Sequence, residues 1–227
     1  MVVFCRFFCL LLAALPMTLP LHAQTTPFLY WAEVETGRIL ESRLSGGVPV
    51  RVAETWRVVA VVADFDAARL YWYEQTDRSP KDARIFAADL NAQNRQLIWT
   101  GQGRVDDLEL DVAGQRLYWT NQDSGTLERV GTDGSNHEVL LSGLVDPEGL
   151  GLDPGAGFLY FLSGGDSQFL YRAELDGANP TSLASVARNA ADVEVDVDND
   201  HLYLGANSSL IGVTRRDLDG QNPVTII

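Results

Sequence analysis

Leu117-Tyr118-Trp119-Thr120-Asn121 decides the fold, with Asp111 six residues ahead of its leucine and Thr132-Asp133-Gly134-Ser135-Asn136 behind it. Its core recurs as Leu29-Tyr30-Trp31, Leu70-Tyr71-Trp72, Leu159-Tyr160-Phe161 and Leu202-Tyr203-Leu204. Successive tyrosines of the five copies stand 41, 47, 42 and 43 residues apart. Asp64, Asp153 and Asp196 hold the place of Asp111 ahead of three other copies. A period of ~40–45 residues made of alternating strands is the repeat of a propeller blade. Leu and Trp, two apart, share one strand face, and the Tyr between them points the other way.

Each repeat resolves into four segments. A short strand runs up to the spaced Asp: Trp56–Ala63, Asp106–Leu110, Gly149–Leu152 and Val193–Val195. Alternation in Asp107-Leu108-Glu109-Leu110 and Val193-Glu194-Val195 gives these strands one buried face. A tight turn follows, such as Val112-Ala113-Gly114-Gln115, built from residues that permit positive φ or bond their own backbone. The motif strand is second. A third strand covers Gly37–Arg43, Arg84–Asp89, Thr126–Val130, Phe169–Glu174 and Leu210–Arg216. It runs into Asp133-Gly134, Asp176-Gly177 or Asp219-Gly220, and once into Leu90-Asn91. Asp-Gly between alternating segments signals a hairpin. The fourth strand covers Pro49–Val52, Gln96–Trp99, Glu138–Leu141, Thr181–Ala184 and Val224–Ile227. The first copy begins at its motif strand and lacks the innermost one, which makes 19 strands in all. No segment keeps a helical period and no linker divides the chain. The expectation is an all-β propeller of five four-stranded blades, the first lacking its inner strand.

The first 23 residues read as a secretory signal peptide. Arg6 precedes an apolar run, Phe7–Leu15, and Leu21-His22-Ala23 forms a small-residue cleavage pattern. The run is too short for a hydrocarbon core of ~30 Å, and no later segment is apolar enough to span one. Both cysteines, Cys5 and Cys9, lie in this leader. The mature domain, residues 24–227, therefore carries no disulfide and no thiolate metal site. It holds 16 basic and 31 acidic residues, a net charge of −15. Such a surface repels nucleic acid and anionic lipid and attracts a basic partner or a divalent cation. The expected location is secreted or periplasmic.

Leu117-Tyr118-Trp119-Thr120-Asn121, with Asp133-Gly134-Ser135-Asn136 and Val139-Leu140-Leu141, resembles the YWTD repeat, the LDL-receptor class B repeat. Leu144-Val145-Asp146-Pro147-Glu148-Gly149-Leu150-Gly151-Leu152-Asp153 is similar to that family's strand before the next motif. The resemblance covers essentially the whole mature chain. It implies a β-propeller, usually six-bladed, used for protein recognition rather than chemistry. The EGF-like modules that accompany the repeats in receptors are absent here. The family's Thr-Asp end of the motif reads Ala32-Glu33, Tyr73-Glu74, Thr120-Asn121, Leu162-Ser163 and Gly205-Ala206. The resemblance gives that Asp a blade-to-blade hydrogen bond. Glu33, Glu74, Asn121 and Ser163 retain the capacity for one and Ala206 does not, so the last blade is expected to be the loosest. Five blades leave an imperfect seam; self-association through the incomplete blade, or a truncated reading frame, would account for it differently.

No catalytic group stands out. Gly-x-Ser-x-Gly is absent, and His137 and His201, the mature histidines, fall at turns. Asp196-x-Asp198-x-Asp200 starts like a calcium loop, but His201 replaces the turn glycine and Asn207 the bidentate Glu. No cofactor and no resident metal are expected. The leading expectation is a non-catalytic module that holds a protein or peptide partner, of basic character, on an acidic loop face. That face would gather Trp56, Glu74, Asp77, Arg78, Arg104, Asp106, Asn121, Glu148, Asp166 and Asp192. Trp is enriched at interface hot spots, although Trp56 also reads as core filling beside Val58. Glu74 to Asp82 is a loop insertion relative to the other copies. The alternatives are a metal-dependent hydrolase of gluconolactonase type, using Asp106, Glu148 and Asp192, and a structural subunit that closes its ring by oligomerising.

Overall fold

The computed structural model describes residues 28–76, 82–206 and 212–226. The leader, Asp77, Arg78 and Asn207 fall outside them. The described residues form five antiparallel sheets. Blade 1 has three strands, β1 (Phe28–Glu33), β2 (Arg38–Arg43) and β3 (Val50–Glu54). Blade 2 has β4 (Arg57–Asp64), β5 (Arg69–Gln75), β6 (Asp82–Asp89) and β7 (Gln96–Gln102). Blade 3 has β8 (Val105–Asp111), β9 (Arg116–Asn121), β10 (Thr126–Gly131) and β11 (Glu138–Ser142). Blade 4 has β12 (Glu148–Asp153), β13 (Phe158–Ser163), β14 (Phe169–Glu174) and β15 (Thr181–Ser185). Blade 5 has β16 (Ala190–Asp196), β17 (His201–Ala206), β18 (Val213–Asp217) and β19 (Val224–Thr225). Five blades, the first with three strands, match the reading of the repeats.

The spaced aspartates end the inner strands by capping the turn that follows. Asp64, Asp111 and Asp153 each accept a backbone N–H three residues on, at 2.8, 2.8 and 2.9 Å. Asp196 does the same for Asn199 at 3.2 Å. The second hairpins repeat the device: Asp133, Asp176 and Asp219 each accept the N–H two residues on, all at 2.9 Å. The glycines after those aspartates have φ of +80 to +87°. A Cβ on Gly134 or Gly177 would stand 2.6 or 2.7 Å from a carbonyl oxygen of the preceding blade's outer strand. Glycine there satisfies both the turn and the close approach of two blades.

The motif strand supplies both faces of its blade. Leu70 and Trp72 pack with Tyr30, Ile39 and Val61 toward blade 1, whereas Tyr71 and Tyr73 pack with Leu117 and Trp119 toward blade 3. The pattern repeats between blades 3 and 4 and between blades 4 and 5. Among the described residues four apolar clusters join five blades, and none joins blade 5 to blade 1. The same asymmetry appears in burial. Leu70, Leu117, Leu159 and Leu202 are wholly buried, but Leu29 is only half-buried. Trp31, Tyr203 and Val213, which also face the seam by their place in the repeat, are half-buried too.

Polar links reinforce the joints. Glu74 accepts from Trp72 Nε1 at 2.7 Å and binds Thr55 in the connection from blade 1. Asn121 Nδ2 donates to Gln102 O of blade 2 at 3.0 Å, and Ser163 Oγ donates to Val145 O at 2.9 Å. Three of the four retained positions thus tie blades together, whereas Glu33 bonds locally to Thr36. Strand bounds differ from the sequence reading by a residue or two, except that β7 runs on to Gln102, β18 starts at Val213 and β16 starts early. β16 starts at Ala190, because Ala190 pairs with Ala206 and the buried Ala191 is skipped at a register shift that hides the alternation.

Gly149 sits where blade 4 meets blade 5, and a Cβ there would lie 2.4 Å from Asp192 Cα and 2.7 Å from Val193 N. Backbone cannot yield as a side chain does, so Gly149→Ala is expected to destabilise by about 1–3 kcal/mol. Gly155→Ala, whose nearest neighbour is Asp153 Oδ1 at 3.5 Å, is expected to leave the midpoint of urea unfolding within the scatter of the parent. Equal midpoints for the two variants would refute this account of the joint.

Candidate functional site

All inner strands begin on one end of the ring, because each blade repeats the same up-and-down order. The ends of the motif strands meet the beginnings of the inner strands there. Around the central channel this places Gln75 and Arg57 of blade 2, Arg104, Asp106, Asp107 and Gln122 of blade 3, Glu148 of blade 4, and Ala191, Asp192 and Glu194 of blade 5. Trp31, Ala32 and Val34 of blade 1 complete the wall. The cavity holds about 960 Å³, counting space open to solvent at its mouth.

Four of the expected site residues, Arg104, Asp106, Glu148 and Asp192, line this channel together. Glu148 accepts from Gln168 Nε2 at 2.9 Å. Trp56 is 72% exposed, immediately ahead of channel-lining Arg57. Core filling beside Val58 is therefore corrected: Val58 is fully buried and its neighbour is not. Asp166 is exposed and pairs with Arg188. Glu74 and Asn121 are buried within the blade joints, and Arg95 crosses over Phe86, 3.6 Å from its centroid, to pair with Glu74 at 2.8 Å. Asp77 and Arg78 lie outside the described residues.

The sequence reading passed over Asp107, Glu109 and Glu194 as site residues. Their signal was present: Asp107 and Glu109 stand four and two residues before Asp111, as Asp192 and Glu194 stand before Asp196. Blade 4 carries Gly149 and Gly151 at those two positions ahead of Asp153. With no side chain from blade 4 in the way, acids of blades 3 and 5 meet across it. Asp107 accepts Leu150 N–H at 2.9 Å and Leu108 N–H at 2.8 Å, and it shares a hydrogen bond with Asp192. Desolvation, then mutual repulsion with Asp107 and Glu194, pushes Asp192 well above the usual carboxylate range. Glu109 is raised likewise, by burial first and then by Glu194, Asp107 and Asp192. Asp107 is raised by desolvation against the bonds it accepts from backbone N–H groups. Like charges this close cannot all ionise, so the group titrates as a unit. Asp107 and Asp192 keep part of their surface open to the lumen, although the surrounding wall excludes most solvent.

Gln75 Nε2 and Arg104 Nε are buried in the channel wall and make no hydrogen bond within the described residues. A wall with acidic groups and unpaired donors suits polar recognition better than apolar packing. Among the described residues no group of three or more His, Asp or Glu is arranged to hold a metal ion. Asp106, Glu148 and Asp192 line one channel and belong to no such group.

No family model matches the chain. Mouse low-density lipoprotein receptor-related protein 5 is 26% identical over 150 residues, which cover 64% of this chain and 9% of that protein. The chain thus spans about a tenth of that relative's length. A chain of the nidogen–laminin complex superposes with a TM-score of 0.74 at 19% identity, over 87% of this chain and 76% of that one. A gluconolactonase from Xanthomonas campestris gives 0.70 at 22% identity, over 89% and 72%. At such identities the likeness of the solved structures shows the fold alone. No helix among the described residues is long and apolar enough to cross a membrane.

The raised carboxyls set a pH dependence. A carboxyl whose folded pKa exceeds its unfolded value makes the native state bind more protons than the unfolded one. Stability then falls as pH rises from about 4, where the unfolded group ionises, up to the raised folded value. Asp192→Asn removes one member of the group. It is expected to raise the urea midpoint at pH 8, with the gain shrinking toward pH 4. A gain that is absent at pH 8, or larger at pH 4 than at pH 8, would sink the shared-proton account.

Proposed function

We propose that this chain, a β-propeller of the YWTD type, is a secreted, non-catalytic binding module that holds a protein or peptide partner on the channel-mouth face. The observation that carries the proposal is Trp56, 72% exposed at the face where Arg104, Asp106, Glu148 and Asp192 converge. An exposed tryptophan on a rigid scaffold, beside converging polar groups, has the make-up of an interface anchor. The acidic groups around the mouth select positive partners and speed their encounter. Asp166, in the connection from β13 to β14, extends the same face outward. The likeness to a receptor-related protein and to a chain of a two-protein complex supports recognition over chemistry. The acidic mature chain and its leader-like start support work outside the cytoplasm.

Selection of a random-peptide display library on residues 24–227 tests the reading. Enriched peptides are expected to be rich in Lys or Arg and to bind more weakly as salt rises. Trp56→Ala is expected to weaken them by roughly 30-fold, the equivalent of a hot-spot loss of about 2 kcal/mol, without changing thermal stability. Chelator is expected to leave binding unchanged. Lactone hydrolysis that disappears on chelation, or Trp56→Ala binding equal to the parent, would overturn the reading.

A further inference from the structure

The channel wall is divided by chemistry. Blades 1 and 2 give it an apolar side, formed by Trp31, Ala32, Val34, Val59 and Ala60. Blades 3, 4 and 5 give it an acidic one. Among the described residues the carboxyl groups of Asp106, Asp107, Glu148, Asp192 and Glu194 line the wall, against the guanidinium groups of Arg57 and Arg104. The acids are graded in depth. Inner strands start at the mouth and run inward, so Asp106 and Glu148 stand near the rim. Glu194 lies two strand residues, roughly 7 Å, below Asp192. Gln75 is an independent sign of a ligand. It ends β5 at the mouth and lines the same channel. It is 2% exposed, and its Nε2 has no hydrogen-bond partner among the described residues. A buried donor left unpaired is costly, and an acceptor that a ligand brings to the mouth removes that cost.

We propose that the channel seats a lysine side chain of the partner, with its ammonium among Asp107, Asp192 and Glu194, its stem along the apolar side and its main-chain carbonyl at Gln75 Nε2. This deepens the reading of the chain as a binding module and rests on it. An apolar stem with a charged tip matches a wall that is apolar on one side and acidic on the other. The carboxyl groups come from two strands and two levels, so they present no single planar pair to the fork of an arginine. An ammonium on a four-carbon stem turns its three donors to each of them. The ion also removes the reason that protons stay bound. Asp107 and Asp192 share a hydrogen bond, and burial with the mutual repulsion of Asp107, Glu109, Asp192 and Glu194 holds protons on the group. Arg57, Arg104, Asp106 and Glu148 are the other charged groups on the described wall. An entering ammonium favours the ionised forms, so the carboxyls give up protons to the buffer as the lysine binds. An ordinary exposed carboxylate, ionised at neutral pH, has none to give.

The probe is the tripeptide acetyl-Gly-Lys-Gly-amide, titrated into residues 24–227 by calorimetry in phosphate and in Tris at pH 7. Saturable binding is expected, with a net release of protons given by the difference in heat between the two buffers. Affinity is expected to rise from pH 6 to pH 8. Norleucine in place of the lysine keeps the stem and loses the charge, and that peptide is expected not to bind. Pentylamine keeps charge and stem and loses the carbonyl. It is expected to bind about ten-fold more weakly than the tripeptide, the loss of one hydrogen bond to a buried donor. Gln75→Leu is expected to bring the tripeptide down to the level of pentylamine. Asp192→Asn is expected to weaken the tripeptide about ten-fold and to reduce the proton release. The inference fails if the tripeptide does not bind, if the norleucine peptide binds equally, or if binding releases no protons. Display-selected peptides that need Trp56 would, beside such a failure, leave the binding-module reading standing. Proton-linked binding of the tripeptide supports this site even where Trp56→Ala spares the selected peptides and that reading falls.

Discussion

Everything in this ring depends on a strand with two apolar faces. In blades 2 to 5 Leu and the apolar residue two positions on turn toward the previous blade, while the Tyr of blades 1 to 4 turns toward the next. No blade can bury both faces alone, so the core exists only between blades. Burial follows the neighbour rather than the residue type. The same Leu-x-Trp face is wholly buried at Leu117 and Trp119, which have blade 2 behind them, and half-buried at Leu29 and Trp31, which face the seam. A quasi-one-dimensional array of this kind is strong at each joint and weak where a joint is missing.

The joints are tightened by residues whose roles differ from their appearance. Glu74 is buried with its carboxylate held by Trp72, Thr55 and Arg95, a desolvation that this set of charge-assisted partners offsets. Asn121 and Ser163 fill the same place with weaker groups. Ala206 contributes nothing there, and blade 5 is the blade whose strands show the most partial burial and whose outer strand is shortest. The loss of one polar link and the loss of one neighbour fall on the same blade.

The repeat was legible because its determinants are local. An Asp that caps its own turn, an Asp-Gly hairpin and a Leu-Tyr-Trp alternation each act over a few residues, so spacing alone fixes strand count and blade order. Trp56 was ambiguous because one position separates it from fully buried Val58, and the phase of an inner strand's first residue depends on where the previous blade ends. The channel acids were harder to read. Asp107 and Asp192 come from blades 3 and 5 and meet only because blade 4 has glycine at both intervening positions. Neither a glycine in a strand nor an alternating acid announces such a meeting; it follows from the closeness of three inner strands, which is a property of the ring.

Those glycines also explain why the acids are tolerated. Side chains at the positions of Gly149 and Gly151 would press on the backbone of β16, and a fuller wall would force the blades apart. Their absence lets Asp107 bond Leu150 N–H and share a proton with Asp192, turning repulsion into a hydrogen bond while leaving excess negative potential in the lumen.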